Sequence, residues 1–368
     1  MNPPRHRLRQ RIALAEIARA ALLGLVLLIH ILDLRIASAA GDALSFEFIP
    51  PGSSSRFDGA AIQGWTIFLD GRIDEGAAER LRDELAQRGI ESARVFLNSP
   101  GGLLLEGMEL GRLIRLRGFS TYVGRQRDNG ADALAGSCSS ACVFAFIGGV
   151  YRFALPQSRI GVHRFSSMSP ADADPDMAQM VSAAIIRYIR EMGVDVDLFD
   201  RMSRRGSEQI LILSEKDMQQ LRVVNAGRLP AEWSIEALDG TLTLSGAQQT
   251  TSGIGAISFS CKGGQILFRP TVSISDDVAA EVDSVVRHSI KLGDWLDPLA
   301  EAVEPMSVQD GRASALFVLD QDQVSRLQRA ASVGYAAQLR DFTFFADFSV
   351  DTGSRANRIS EFLKSCER

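Results

Sequence analysis

The feature that most constrains the fold is a regular alternation of strand-like and helix-like segments from Trp65 to Met192. Residues 66–69 and 93–97 are short, largely apolar runs of the kind that form strands. The segment between them repeats its apolar residues at helical spacing, and the pattern then recurs further along the chain. Such alternation predicts an α/β fold, in which a sheet is covered by helices.

The pattern changes near residue 229. From there on, apolar and polar residues alternate as in half-buried strands, for example over residues 241–244 and 265–268. The chain of 368 residues is long enough for two buried cores, and its 46% hydrophobic and 23% charged residues exclude a disordered or coiled-coil protein. We therefore expect an α/β domain over 63–228 and a smaller, mostly β domain over 229–368.

The chain before residue 63 has the composition of targeting and linking segments. An arginine-rich start, an apolar run over 20–32 and small residues at 37–39 follow one another as in a secretory signal peptide. The apolar run is shorter than the ~20 residues that span a bilayer. We expect a signal peptide at 1–39, a linker at 40–62 and a periplasmic or secreted mature protein. The alternative is an uncleaved segment that anchors the chain in the membrane, facing the periplasm.

The four cysteines fit that expectation, because an even number of cysteines outside the cytoplasm suggests disulfides. Cys261 and Cys366 would join the end of the chain to the second domain. Cys138 and Cys142 are four residues apart and form either a local disulfide or two buried thiols. No metal site is expected, because the histidines left after signal cleavage are far from each other in sequence. The net charge of −5 argues against nucleic acid as a partner.

Three elements carry possible chemistry. Residues 99–102, Ser-Pro-Gly-Gly, lie between a strand and a helix, where unobstructed backbone N–H groups suit an oxyanion hole. A Pro-Gly-Gly turn by itself is often only a turn. Ser140 lies among small residues at a loop-to-helix junction, beside the N–H of Ala141. His163 ends a strand and is the single histidine in this half of the mature chain.

In their order, these elements resemble the Clp peptidase subunit. The matching motifs are residues 97–102, Gly107-Met108, residues 136–140, the Leu-Pro-Gln-Ser-Arg stretch at 155–159, and His163. The Cys-Ser-Ser-Ala-Cys block and the signal peptide make the chain more closely similar to exported Clp-related proteins of bacteria. The resemblance implies a Clp/crotonase-like spiral core of repeated ββα units, a peptide or protein substrate, no cofactor, and assembly into homo-oligomers.

The resemblance also implies residue roles. Ser140 would be the nucleophile, His163 the general base, and the N–H groups of Gly102 and Ala141 the oxyanion donors. The nucleophile is followed here by Ala141-Cys142 where the family usually has a glycine, and the loop before it is about ten residues longer.

The third member of the triad, an aspartate in Clp peptidase, has no clear match. Glu208 is the nearest carboxylate and Asp200 is the alternative. A Ser–Lys pair is disfavoured, because Lys216 is the one lysine before residue 262 and is expected at an exposed helix start. The sequence thus supports two hypotheses: an exported serine hydrolase, in particular a peptidase, and a weakly active or inactive Clp-fold scaffold of the cell envelope.

Overall fold

The computed structural model describes residues 43–52, 64–127, 132–165, 175–206, 209–238, 241–353 and 356–366. The chain divides into two compact units, Met1–Val224 and Asn225–Arg368. The expected signal peptide at 1–39 lies outside the described residues. Within the described ranges, no helix combines the length and the apolar character needed to cross a membrane.

The first unit is built on a five-stranded sheet in the order β1-β2-β3-β4-β8. Its strands are β1 (Ser45–Ile49), β2 (Trp65–Asp70), β3 (Ala93–Asn98), β4 (Ser120–Val123) and β8 (Arg152–Ala154). The last four strands run parallel, and β1 pairs antiparallel with β2 at the edge. Because parallel strands need crossover connections, helices follow β2 and β3 as the alternating pattern predicts.

Strand β1 corrects the expectation of a linker over 40–62. Phe46 and Phe48 are partly buried against the core of the first unit, and the guanidinium groups of Arg80 and Arg88 lie over their rings at 5.8 and 4.5 Å. The Pro-Gly-Ser composition that suggested a linker belongs to residues 50–55, beyond the strand. The described structure therefore contains a strand about twenty residues before the first one that the pattern indicates.

A smaller sheet has the order β10-β9-β7, and a short hairpin pairs β5 with β6. These strands are β5 (Arg125–Gln126), β6 (Ala133–Leu134), β7 (Ser137–Ser139), β9 (Arg159–Val162) and β10 (Leu211–Ile212). Strands β7 and β9 are parallel, with Ser139 opposite Gly161. This register places the residues that follow the two strands, Ser140 after β7 and His163 after β9, at the same end of the small sheet.

The helices of the first unit bury their apolar stripes against the five-stranded sheet in one core. They are α1 (Ala77–Gln87), α2 (Leu104–Leu116), α3 (Ala141–Ile147), α4 (Pro175–Glu191), α5 (Asp197–Ser203) and α6 (Glu215–Gln220). Helix α1 begins at Ala77, although the apolar residues at helical spacing already start at Ile73. The N–H of Ile73 donates to the Gly101 carbonyl, and the Ile73 carbonyl accepts from the Leu103 N–H. Ile73 is thereby tied to the Pro-Gly-Gly turn.

The second unit contains two antiparallel sheets with one apolar core, centred on buried Phe259, Phe268, Phe317 and Tyr335. The six-stranded sheet consists of β11 (Glu232–Leu238), β12 (Thr241–Thr250), β13 (Gly253–Lys262), β14 (Gln265–Ser273), β18 (Arg312–Val318) and β17 (Glu304–Gln309). The four-stranded sheet consists of β16 (Trp295–Pro298), β15 (Val285–Leu292), β19 (Ser332–Leu339) and β20 (Phe344–Asp351). Its helices are α7 (Asp276–Ala279), a 3-10 turn (Val282–Ser284), α8 (Gln321–Leu327) and α9 (Ala356–Cys366).

Candidate active site

Ser140 occupies the sharp turn between β7 and α3. Its backbone has φ 57° and ψ −125°, a left-handed conformation that residues with a side chain rarely adopt. The Ser140 N–H donates to the Gly161 carbonyl at 2.9 Å, and the Ser140 carbonyl accepts from the Val143 N–H at 3.0 Å. The side chain is partly exposed. The turn therefore presents a hydroxyl at the surface, directly before a buried helix.

Two backbone N–H groups near this hydroxyl remain available. Ala141 is the first residue of α3, so its N–H has no acceptor within the helix. Gly102 lies between the two residues that bond to Ile73, and its own N–H takes no part in that bridge. Among the described residues, no group accepts a hydrogen bond from either N–H. Both are free to donate to an oxyanion, and the helix start favours negative charge.

The Pro-Gly-Gly turn lies directly against Ser140. A Cβ atom on Gly101 would be 2.7 Å from the Ser140 Cβ and 3.0 Å from the Ala141 nitrogen, which no side chain could tolerate. Gly101 also has φ +101°, a conformation that glycine adopts readily. Gly101 is thus required by a close approach between segments 39 residues apart, whereas Gly102 is required by a close approach to the backbone of Ile73.

Strand-like bonds hold this approach in register. The Ser99 N–H donates to the Ser137 carbonyl at 2.8 Å, and the Ser99 carbonyl accepts from the Ser139 N–H at 3.0 Å. The Ser99 hydroxyl is buried and accepts from the Gly101 N–H at 3.1 Å, which shapes the turn. The motif at 99–102 and the Ser140 turn therefore form one assembly.

Cys138 and Cys142 lie on either side of Ser140 at disulfide-bonding distance. Their Cα atoms are 5.3 Å apart, and both residues are fully buried. Of the two interpretations that the sequence left open, the structure has the bonded pair. Cys261 and Cys366 are also bonded, with Cα atoms 5.5 Å apart, and they join β13 to α9.

His163 follows the last residue of β9 and is partly exposed. Its Nδ1 lies 2.8 Å from the Arg164 carbonyl oxygen. A carbonyl can only accept, so this contact requires an N–H at Nδ1 and leaves Nε2 unprotonated in the neutral ring. The register opposite Ser139 brings His163 to the same end of the small sheet as Ser140, yet no hydrogen bond joins the two side chains in the described structure.

Of the two carboxylates considered as the third member of the triad, the structure describes one, Asp200. Asp200 forms an exposed ion pair with Arg204 at 2.6 Å, and no contact in the described structure joins it to His163. Glu208 lies outside the described residues. The segment before it does approach His163, because the Arg164 N–H donates to the Arg205 carbonyl at 3.0 Å.

Helix α3, which carries Ser140 at its head, is buried along its whole length and is held by polar groups that the sequence analysis missed. These groups donate to carbonyls of residues 144–149, and they are Thr121 Oγ1, the Tyr188 hydroxyl and the guanidinium groups of Arg115 and Arg152. Burial lowers the pKa of Arg152 to about 9, so it remains a cation at neutral pH. A lone arginine before Phe153 and Ala154 in β8 is the sequence signal that could have identified Arg152.

Within the residues that the structure describes, no cluster of three or more histidine, cysteine, aspartate or glutamate side chains could hold a metal ion. The remaining lysine candidate, Lys216, is exposed on α6. The groups that this candidate site offers are a hydroxyl, an imidazole and backbone N–H groups.

No protein-family model matches the chain, and no curated protein matches it. Solved structures do. ClpP1 from Listeria monocytogenes and a point mutant of the same protein each match with 19% sequence identity and a TM-score of 0.34. Each match covers 44% of this chain and 88% of the other.

Proposed function

We propose that the chain is an exported serine hydrolase that cleaves peptide or protein substrates through an acyl-enzyme on Ser140. The observation that carries the proposal is the positive φ of Ser140 at the head of buried α3. Such a conformation costs about 1–3 kcal/mol in a residue with a side chain and is concentrated at functional sites. A sharp strand-to-helix turn is also how other hydrolases expose a nucleophilic serine.

The steps of the reaction assign one role to each group. The Ser140 hydroxyl attacks the substrate carbonyl carbon while its proton passes to Nε2 of His163. The resulting oxyanion accepts hydrogen bonds from the Ala141 and Gly102 N–H groups. His163 then protonates the leaving amine, and a water molecule releases the acyl group by the same sequence of proton transfers.

The Arg164 carbonyl supports the role of His163 as base. Its contact with Nδ1 keeps the imidazole in the tautomer whose Nε2 can accept a proton. A carbonyl stabilises the imidazolium less than a carboxylate does, so we expect slow turnover if Glu208 does not contribute.

The same contact favours the second candidate, a scaffold of the cell envelope. Among the described residues, the partner of His163 Nδ1 is a carbonyl and not a carboxylate. An inactive descendant of a hydrolase would retain the turn and lose the orienting acid. Export is supported for either candidate by two cysteine pairs at disulfide distance, a state that oxidising compartments maintain. Membrane attachment through an uncleaved N-terminal segment and self-association into homo-oligomers are further proposals.

The test is labelling of the purified, disulfide-intact protein with a fluorophosphonate probe. We expect labelling of the wild type and at least about a 10³-fold lower rate in Ser140→Ala and His163→Ala. Ser137→Ala is the matched control, because Ser137 is an exposed serine on β7, the strand that leads into Ser140. Absence of labelling in folded wild type would refute the hydrolase and favour the scaffold.

A further inference from the structure

Cys138 and Cys142, which lie on either side of Ser140, are joined by a disulfide that takes no part in the proposed reaction. We infer that the Cys138–Cys142 disulfide is a positioning bond, which holds Ser140 in the positive-φ conformation that aims its hydroxyl; this inference rests on the proposed function.

The placement of the two cysteines is the first argument. Cys138 is the central residue of β7, and Cys142 is the second residue of α3. The bond therefore closes a small ring with Ser140 at its centre, and it spans the strand-to-helix turn. Because both cysteines are fully buried in the core of the first unit, the bond also fixes the turn to that core.

The second argument is that backbone hydrogen bonds hold the turn as well, but among the described residues no other side-chain bond joins its two sides. Ser139, Ser140 and Ala141 have small side chains, and the Pro-Gly-Gly turn that packs on them offers only glycine at the contact. Hydrogen bonds fix the Ser140 N–H and the Ser140 carbonyl, but neither contact involves the side chain. A positive φ in serine is disfavoured and persists only where the surroundings impose it.

Relaxation of that conformation would have a direct chemical effect. Rotation about the Ser140 N–Cα bond to negative φ would swing its Cβ, and with it the hydroxyl, relative to β7 and to the Gly102 N–H of the turn that Ser99 bonds to β7. The nucleophile and the oxyanion donor would then no longer face one substrate carbonyl. The disulfide prevents this by tying the residues on either side of the turn.

The experiment compares two disulfide-deficient variants of the full protein. Cys138→Ala/Cys142→Ala removes the bond at Ser140, and Cys261→Ala/Cys366→Ala is the control, since that bond joins β13 to α9 in the second unit. The concentration dependence of fluorophosphonate labelling separates the probe's binding constant from the maximal labelling rate. Circular dichroism gives the folded fraction, to which each rate is normalised.

We expect the maximal rate of the Cys138/Cys142 variant to fall by about tenfold or more, with the binding constant and the pH midpoint of labelling unchanged. A merely structural bond would lower the folded fraction and leave the normalised rate intact. The control variant should label like the wild type.

A second measurement covers the case in which the double-alanine variant does not fold. In the Cys261→Ala/Cys366→Ala background, a dithiol reductant in low urea transfers two electrons and two protons to the Cys138–Cys142 bond and becomes a cyclic disulfide. Labelling should fall on reduction and return on reoxidation.

The outcomes separate the two ideas. A folded wild type that does not label overturns the proposed function. A wild type that labels, together with a reduced or double-alanine protein that labels at the same normalised maximal rate, overturns this inference alone.

Discussion

Substitution of Gly107 by alanine tests the contact between α2 and the start of α3. Gly107 lies within α2, and a Cβ atom there would be 2.3 Å from the Ala141 carbonyl oxygen and 3.0 Å from the Ala141 carbonyl carbon. Both are backbone atoms of the residue that follows Ser140. Unlike the end of a flexible side chain, they can make room only if the helices separate.

Two opposing effects set the magnitude. Alanine is the better helix former by about 1 kcal/mol. Overpacking costs about 1–3 kcal/mol, and a rigid backbone contact belongs at the upper end of that range. We therefore expect a net loss of about 2 kcal/mol, or a melting temperature lower by about 4–8 °C for a unit of this size. Displacement of the Ser140–Ala141 turn by about 1 Å should also reduce fluorophosphonate labelling by about 100-fold.

The control is Gly118→Ala. Gly118 has φ +67° just beyond the end of α2, and a Cβ atom there would meet nothing within 4 Å. Alanine at this position costs about 1 kcal/mol through backbone conformation alone. Urea denaturation and labelling of both variants then separate a loss of stability from a displacement of the site, because only Gly107→Ala should lose labelling.

The reasoning is refuted if Gly107→Ala is as stable as the wild type, which would mean that helix propensity outweighs the contact. It is equally refuted if the variant is destabilised but labels at the wild-type rate.

Three further predictions concern stability. Arg152→Met removes a buried guanidinium that donates to several backbone carbonyls. Urea denaturation should show a free energy of unfolding of the first unit that is lower by at least about 3 kcal/mol. A decrease of less than about 1 kcal/mol would contradict the role given to Arg152. Burial lowers the pKa of His288 below its ordinary value, so the neutral ring is favoured in the folded state. The free energy of unfolding should therefore be at its full value above about pH 6.5 and decline as the pH falls further, with a smaller decline in His288→Gln. Equal urea midpoints for both proteins from pH 8 to 5 would argue against this. Cys261→Ala/Cys366→Ala opens a loop closed over a sequence separation of 105 residues and should cost the second unit up to about 4.7 kcal/mol on chain-entropy grounds, whereas an unchanged melting temperature would show that the bond does not constrain the unfolded chain.

The positions of the local elements follow closely from the sequence. The pattern places strands at 66–69 and 93–97, and the structure has them as β2 and β3 with one or two more residues at the ends. Residues 177–192 also carry apolar residues at helical spacing, and the structure has a helix there from Pro175 to Glu191. The periodicity of apolar residues and the turn residues that follow them are local properties. Such elements can therefore be predicted without knowledge of the elements they pack against.

Where the pattern and the structure differ, distant contacts are the cause. The Pro-Gly-Ser composition that follows β1 suggested a linker instead of a strand. The segment is a strand because it pairs with the edge of β2. Residues 152–154 and 159–163 are two short strand-like runs joined by a Leu-Pro-Gln-Ser turn, yet β8 belongs to the five-stranded sheet and β9 to the small one. The turn between β8 and β9 therefore connects two different sheets.

The sequence by itself determined which residues carry possible chemistry: a serine among small residues, a histidine at a strand end and a pair of glycines after a strand. Only the tertiary structure decided how they meet. Gly101 packs on Ser140 across 39 residues of chain, and Arg152 donates to carbonyls at the end of α3 and at Arg222 and Val223, far along the chain. The chemistry of a side chain belongs to one residue and can be recognised in the sequence. A close approach between distant segments depends on the simultaneous packing of several elements.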